Sequence, residues 1–212
     1  MRLISHRHPL NLLKGVVIAS AFLLFQGCSS LSNVDSAEFA SQYDVDTRAF
    51  DGIKVDDATQ APLQAIARAH FTASPDAVFK RMGDHKHMGE WIPMLDHEIQ
   101  VDNSQSLIPG ENNVGTTRIC LFGGDTLTED IKHWVPGKGY SYSVRDSEEA
   151  PAKNHLGVIT IEEDGEGGSL VTWRQYFDPK GFKGEYIMPT MMSFVLNGAL
   201  DNLSEEFGGE VL

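Results

Sequence analysis

The sequence predicts an α+β domain in which a curved antiparallel sheet wraps around a long C-terminal helix, with short helices after the first strand. Three observations carry that expectation. From about residue 63 the chain falls into a succession of strand-length apolar runs. Gly-rich segments with the composition of tight turns separate those runs. From Met188 onward the apolar spacing changes to that of a helix.

Taken in order, residues 28–60 are rich in Ser, Asp, Asn, Gln and Thr, show no sustained period, and read as a polar tether. Residues 61–210 read as the folded domain. Ala65 to Phe71 reads as the first strand. Ser74 is a good N-cap and Pro75 a good first helical residue, so a short helix is expected there. Strands are expected at 98–101, 115–121, 126–135, 140–145, 156–162 and 170–177. The segments 122–125, 136–139 and 163–168 between them carry paired or clustered glycines, which suit connections between antiparallel neighbours. Met188, Met191, Met192, Val195, Ala199, Leu203 and Phe207 are spaced as one face of a long helix that ends at Gly208-Gly209.

The N-terminal segment has a different character. Arg2, Arg7 and Lys14 precede an apolar run from Gly15 to Phe25, too short for a comfortable membrane span but of signal-peptide length. Residues 1–27 therefore read as an export signal. The following Gly27-Cys28-Ser29-Ser30 resembles the lipobox of bacterial lipoproteins, although Phe25 and Gln26 depart from the usual Leu and small residue. The resemblance implies acylation at Cys28, a membrane anchor, and, with Ser29 after the cysteine, the periplasmic face of the outer membrane. An uncleaved anchor or ordinary secretion are the alternatives.

Removing that segment leaves about 185 residues, enough for one core. The whole chain carries a net charge of −13. Such a surface makes nucleic acid an unsuitable partner and leaves membrane attachment to the acyl anchor. With Cys28 spent on lipid, Cys120 has no disulfide partner and reads as a small buried hydrophobe.

The order of elements, together with residues 73–79, Asp84, Trp91-Ile92-Pro93, residues 115–118, Glu129, Tyr140-Ser141-Tyr142 and the final amphipathic helix, resembles the START-like superfamily. That superfamily, SRPBCC, covers polyketide cyclase/dehydrase and lipid transport proteins and has the helix-grip fold. The resemblance spans roughly residues 63–208 and implies a cavity between sheet and helix for a hydrophobic or amphipathic small molecule.

Within this frame several residues are candidates. A symmetric turn at 122–125 places Arg118 opposite Glu129, on a face shared with Cys120, Leu127 and Ile131. An inward ion pair either closes the cavity edge as a clamp or orients a ligand's polar group. In an enzyme, Glu129 would serve as general base and Arg118 as oxyanion stabiliser. Tyr140, Tyr142, Trp173, Met188, Met191, Met192 and Val195 are candidates for the cavity wall, with plain core packing as the alternative for each. His85, His87 and His97, with Asp84 and Glu90, read as solvated polar residues of an exposed loop, so no metal is expected. Residues 103–113, with Leu107 and Ile108 at their middle, read either as a lid or as a loop packed on its own domain.

The expected function is a membrane-anchored lipoprotein that binds or carries a hydrophobic or amphipathic small molecule, with no cofactor. One alternative is a cyclase/dehydratase-type enzyme acting on a polyketide-like or aromatic substrate. Another is a structural envelope lipoprotein with a filled cavity and a protein partner.

Overall fold

The computed structural model describes residues 47–212. The expected signal segment, Cys28 and the tether up to residue 46 lie outside the described residues. The described chain runs β1 (Ala49–Phe50), β2 (Ile53–Lys54), β3 (Leu63–Phe71), α1 (Pro75–Met82), a 3-10 segment (His85–Glu90), β4 (Gln100–Asp102) and β5 (Thr117–Phe122). It continues through β6 (Asp125–Val135), β7 (Gly139–Val144), β8 (Ala152–Glu163), β9 (Ser169–Pro179), α2 (Met188–Phe207) and β10 (Gly209–Val211). A π-helical turn at Lys183–Ile187 leads into α2.

The main sheet has eight strands in the order β10-β3-β9-β8-β7-β6-β5-β4, with every neighbouring pair antiparallel. The meander expected from the turn compositions is therefore present. Its tightest turn shows why. Gly123 and Gly124 have φ of +58° and +94°, the left-handed pair that a two-residue hairpin needs, and they bring Phe122 opposite Asp125. Ser74 precedes α1 in an extended conformation and Pro75 opens the helix, but the Ser74 side chain makes no capping bond. The helix leans instead on Val78, Phe79 and Met82, which are buried.

α2 crosses the concave face closest to β3, where the inward positions are Ala65, Ala67 and Ala69. Three small side chains in alternation let the helix approach, and Ala199, Leu200 and Leu203 are fully buried on it. Each of those leucines contributes about 2 kcal/mol by leaving water. After the helix, Gly208 and Gly209 take φ of +70° and +117° and reverse the chain into β10, which pairs with β3. That last strand has three residues, too few for an alternation to be read in the sequence.

One expectation needs correction. The tether was expected to extend to residue 60, but residues 49–57 form a hairpin and a 3-10 turn. Ile53, Val55 and Ala61 are buried against Leu156, Val158 and Tyr176, on the sheet face away from α2. Arg48 fastens this cover. It ion-pairs with Asp56, donates to the carbonyls of Thr59 (2.5 Å) and Ala61 (3.2 Å), and lies 5.1 Å above the Tyr176 ring. Arg174 in turn sits 3.9 Å from the Phe50 ring centre. The middle strands β8 and β9 are consequently buried on both faces. Among the described residues, no helix is long and apolar enough to cross a membrane.

Candidate functional site

The sheet and α2 part company on the side away from β3. There a cavity of about 60 Å³ lies between the N-terminal half of α2 and inward residues of β5, β6, β7 and β9. It lies within a wider hollow of about 520 Å³ that includes open solvent. Its wall is predominantly apolar. Met192, Val195 and Leu196 come from α2, while Met88 and Ile92 come from the segment after α1. The half-buried Leu95, Phe122, Leu127 and Val144 also line it, and form its more exposed rim.

Two polar groups interrupt this wall. The first is Arg118 opposite Glu129 across the β5–β6 ladder. Arg118 Nε donates to Glu129 Oε2 at 2.5 Å, and the two side chains are 1% and 9% exposed. The guanidinium sits 4.3 Å above the Tyr142 ring, and its Nη1 points at Met88 Sδ, 3.0 Å away. Burial lowers the affinity of Arg118 for its proton, and the Glu129 carboxylate more than reverses that, so the pKa is raised. The Cys120 thiol donates to Glu129 Oε2 at 3.7 Å. Burial first, and the neighbouring carboxylate second, push that thiol up to about 12, which removes it as a nucleophile at neutral pH.

The second group joins β7, β8 and β9. Tyr142 faces Gly157 across the β7–β8 ladder, and a Cβ at residue 157 would lie 2.2 Å from the Tyr142 ring. The missing side chain lets the ring lie across β8 and deliver its hydroxyl to β9. That hydroxyl accepts from Gln175 Nε2 at 2.8 Å and from Trp173 Nε1 at 3.2 Å. His155 Nε2 meets Gln175 Oε1 at 2.6 Å. Burial raises the Tyr142 pKa and lowers that of His155, so both are uncharged at neutral pH.

The structure thus gathers Arg118, Glu129, Tyr142, Trp173, Met192 and Val195 around one space. The other three wall candidates sit elsewhere. Tyr140 is buried and donates its hydroxyl to the Met82 carbonyl at 2.9 Å, which anchors α1. Met188 is core, and Met191 is half-buried outside the cavity lining. Met191 precedes Met192 by one residue on α2, about 100° around the helix, and so turns to the margin of the inward face. Cys28 lies outside the described residues.

Several wall residues escaped sequence reasoning, among them Gln175, His155 and Met88, for different reasons. Gln175 shares the β9 face of Trp173 at a spacing of two, a polar residue on an apolar face that alternation alone would flag. His155 follows an irregularity between Lys153 and Leu156 that breaks the count. Met88 lies in a 3-10 segment with no helical or strand period.

One further expectation is corrected and one alternative is decided. His85 is not in a solvated loop but is fully buried, edge-on to Trp134 (5.5 Å) and Tyr140 (5.4 Å). Neither ring nitrogen finds a hydrogen-bond partner among the described residues. His87 and His97 are exposed, and His87 bonds Asp84 at 2.7 Å. Of the two readings of residues 103–113, the structure matches the loop packed on its own domain and not the lid. Asn112 Nδ2 donates to the Gly83 carbonyl at 2.8 Å and Thr116 Oγ1 to Asn103 Oδ1 at 2.8 Å. Leu107 and Ile108 point to solvent, and neither lines the cavity.

The sequence pattern of the family described as "Polyketide cyclase / dehydrase and lipid transport" matches residues 64–208, which takes in every strand of the main sheet except β10, and all of α1 and α2. The chain belongs to that family. Among solved structures, the chain is similar to XoxI from Bacillus cereus, at 20% identity and a TM-score of 0.55, over 68% of this chain and 94% of that one. It is similar to a START superfamily protein from Mycobacterium smegmatis, at 9% identity and a TM-score of 0.55, over 69% and 97%. It is also similar to major latex-like protein 151 from Panax ginseng, at 14% identity and a TM-score of 0.52, over 68% and 95%. At these identities the likeness is one of fold. No curated protein matches the sequence. Family and fold fit a protein that binds hydrophobic small molecules.

Proposed function

We propose that this protein is an envelope lipoprotein, acylated at Cys28 and held at the periplasmic face of the outer membrane, that binds or carries a hydrophobic or amphipathic small molecule between α2 and the sheet. The observation that carries the reading is the space itself: an apolar hollow with its polar groups confined to two clusters. Ordinary ligand pockets hold roughly 300–1,000 Å³. The resting cavity of about 60 Å³ is narrower, so a bound molecule widens it. Met88 and Met192, unbranched and easily re-posed, are the wall residues suited to move.

Nothing in the site favours the cyclase/dehydratase alternative. Glu129 Oε2 is engaged by Arg118 and Cys120, and among the described residues that line the cavity none is an activated nucleophile. Native mass spectrometry of protein purified from its own envelope, followed by organic extraction, tests the binding reading. A co-purifying apolar molecule released by solvent is expected, and a bare polypeptide mass that no added amphiphile shifts would refute it. The anchor is tested separately by the mass of the mature N-terminus in wild type and Cys28→Ser.

A further inference from the structure

We infer that the cavity selects a neutral amphiphile whose polar end is a hydrogen-bond acceptor, a ketone, ester carbonyl or hydroxyl, received by the hydroxyl proton of Tyr142. This rests on the binding reading above and adds to it the chemistry of the head group.

The first argument is charge balance. Arg118 and Glu129 are the charged residues of the wall, and they already neutralise each other at 2.5 Å. Cys120, Tyr142 and His155, the remaining titratable groups there, are all held in their uncharged forms. A carboxylate or phosphate entering this space must either pull Arg118 from Glu129, leaving a buried carboxylate behind, or remain unpaired beside it. Both leave a charge out of water without a partner. A cation meets the mirror-image difficulty at Arg118.

The second argument is hydrogen-bond valence. A phenol oxygen has two lone pairs and one proton. In Tyr142 both lone pairs are filled, by Trp173 Nε1 at 3.2 Å and Gln175 Nε2 at 2.8 Å. Gln175 is held in that orientation by His155, which donates from Nε2 to Gln175 Oε1 at 2.6 Å. The Tyr142 proton therefore has no remaining role inside the network, and among the described residues no acceptor takes it. Tyr142 lines the cavity. The wall thus offers one spare donor at the end of a fixed chain, matched to an acceptor without charge.

The experiment uses four ten-carbon probes, the methyl ketone, the primary alcohol, the carboxylate and the alkane. Each is titrated at neutral pH into the wild-type protein and into Tyr142→Phe, with binding read by calorimetry and native mass spectrometry. The ketone and alcohol are expected to bind about a hundredfold more tightly than the carboxylate, the penalty for burying an unpaired charge. Tyr142→Phe is expected to weaken the ketone about fivefold relative to the alkane. A carboxylate that binds as tightly as the ketone overturns the inference and leaves the binding reading standing, as does a ketone affinity unaffected by Tyr142→Phe. Should the variant fail to fold, the ketone-to-carboxylate ratio in the wild type decides alone. If none of the four probes binds, the binding reading falls and the inference with it.

Discussion

Replacing Glu129 by alanine removes the carboxylate that Arg118 bonds at 2.5 Å and leaves a guanidinium that is 1% exposed with no counter-charge. Two charges roughly 4 Å apart attract by about 4 kcal/mol at an effective dielectric constant near 20. Breaking a buried pair from one side costs about 3–5 kcal/mol, because the desolvation of the survivor is no longer offset. For a domain of this size that is a fall in Tm of roughly 10 °C. The paired replacement Arg118→Met with Glu129→Leu removes both charges and fills the same space with apolar atoms. It is expected to stay within about 1 kcal/mol of the wild type or to exceed it. Urea denaturation of the wild type, Arg118→Met, Glu129→Leu and the double variant closes the cycle, with a coupling of at least about 5 kcal/mol expected. A loss below about 1 kcal/mol in Glu129→Ala would refute the reasoning. It would mean that water reaches Arg118 freely and that the cavity is wide and wet at rest.

Three other perturbations test separate parts of the structure. Burial first, and Arg118 second, hold His85 well below its ordinary value of 6.5, so it is neutral in the folded protein and takes up a proton on unfolding. Its contribution is complete above about pH 6.5 and is lost at about 1.4 kcal/mol per pH unit as the pH falls below that; urea midpoints at successive pH values should show His85→Leu with a shallower acid slope than wild type, and equal slopes would contradict the assignment. Gly157→Ala drives a Cβ to 2.2 Å from the Tyr142 ring and should cost about 1–3 kcal/mol, with a near-ultraviolet dichroism change from the displaced Tyr142–Trp173 pair; an unchanged spectrum and Tm would count against the packing described. Deleting residues 47–61 uncovers Leu156, Val158 and Tyr176, so the truncated protein should bind a hydrophobic dye and melt earlier, whereas a dye-silent truncation would show that the second face needs no cover.

How much of this was legible in the sequence depended on the range over which each feature is determined. The Arg118–Glu129 pair was readable because a two-glycine turn and the alternation of two strands determine it within twelve residues. The helix face from Met192 to Leu203 was readable for the same local reason. The N-terminal hairpin was not, since Ile53 and Val55 stand isolated among acidic and polar residues, and their partners Leu156 and Tyr176 lie about a hundred positions away. His85 was misplaced because a 3-10 segment offers neither strand nor helix period, so nothing in the sequence said that one of two neighbouring histidines turns inward to Trp134 while the other pairs with Asp84 in water. The site residues contributed by His155 and Met88 share that origin, one hidden by an irregular ladder and the other by irregular backbone.

The position of the cavity follows from side-chain size across the sheet. On β3 the inward residues are alanines, and α2 settles close enough for Ala199 to be fully buried. Toward β5, β6 and β7 the inward residues become the bulky Arg118, Glu129 and Tyr142, the helix makes few contacts with those strands, and the cavity lies between them. This arrangement puts the poorly filled volume where the polar groups also lie. The hollow then has two requirements that pull against each other. Its apolar lining favours collapse of the methionines into the space, which explains the small resting volume. The ion pair and the Tyr142 network resist collapse, because each is held by hydrogen bonds whose loss would strand buried polar atoms. The rigid polar side therefore sets where a head group sits, and the soft methionine side sets how far the pocket opens for what is attached to it.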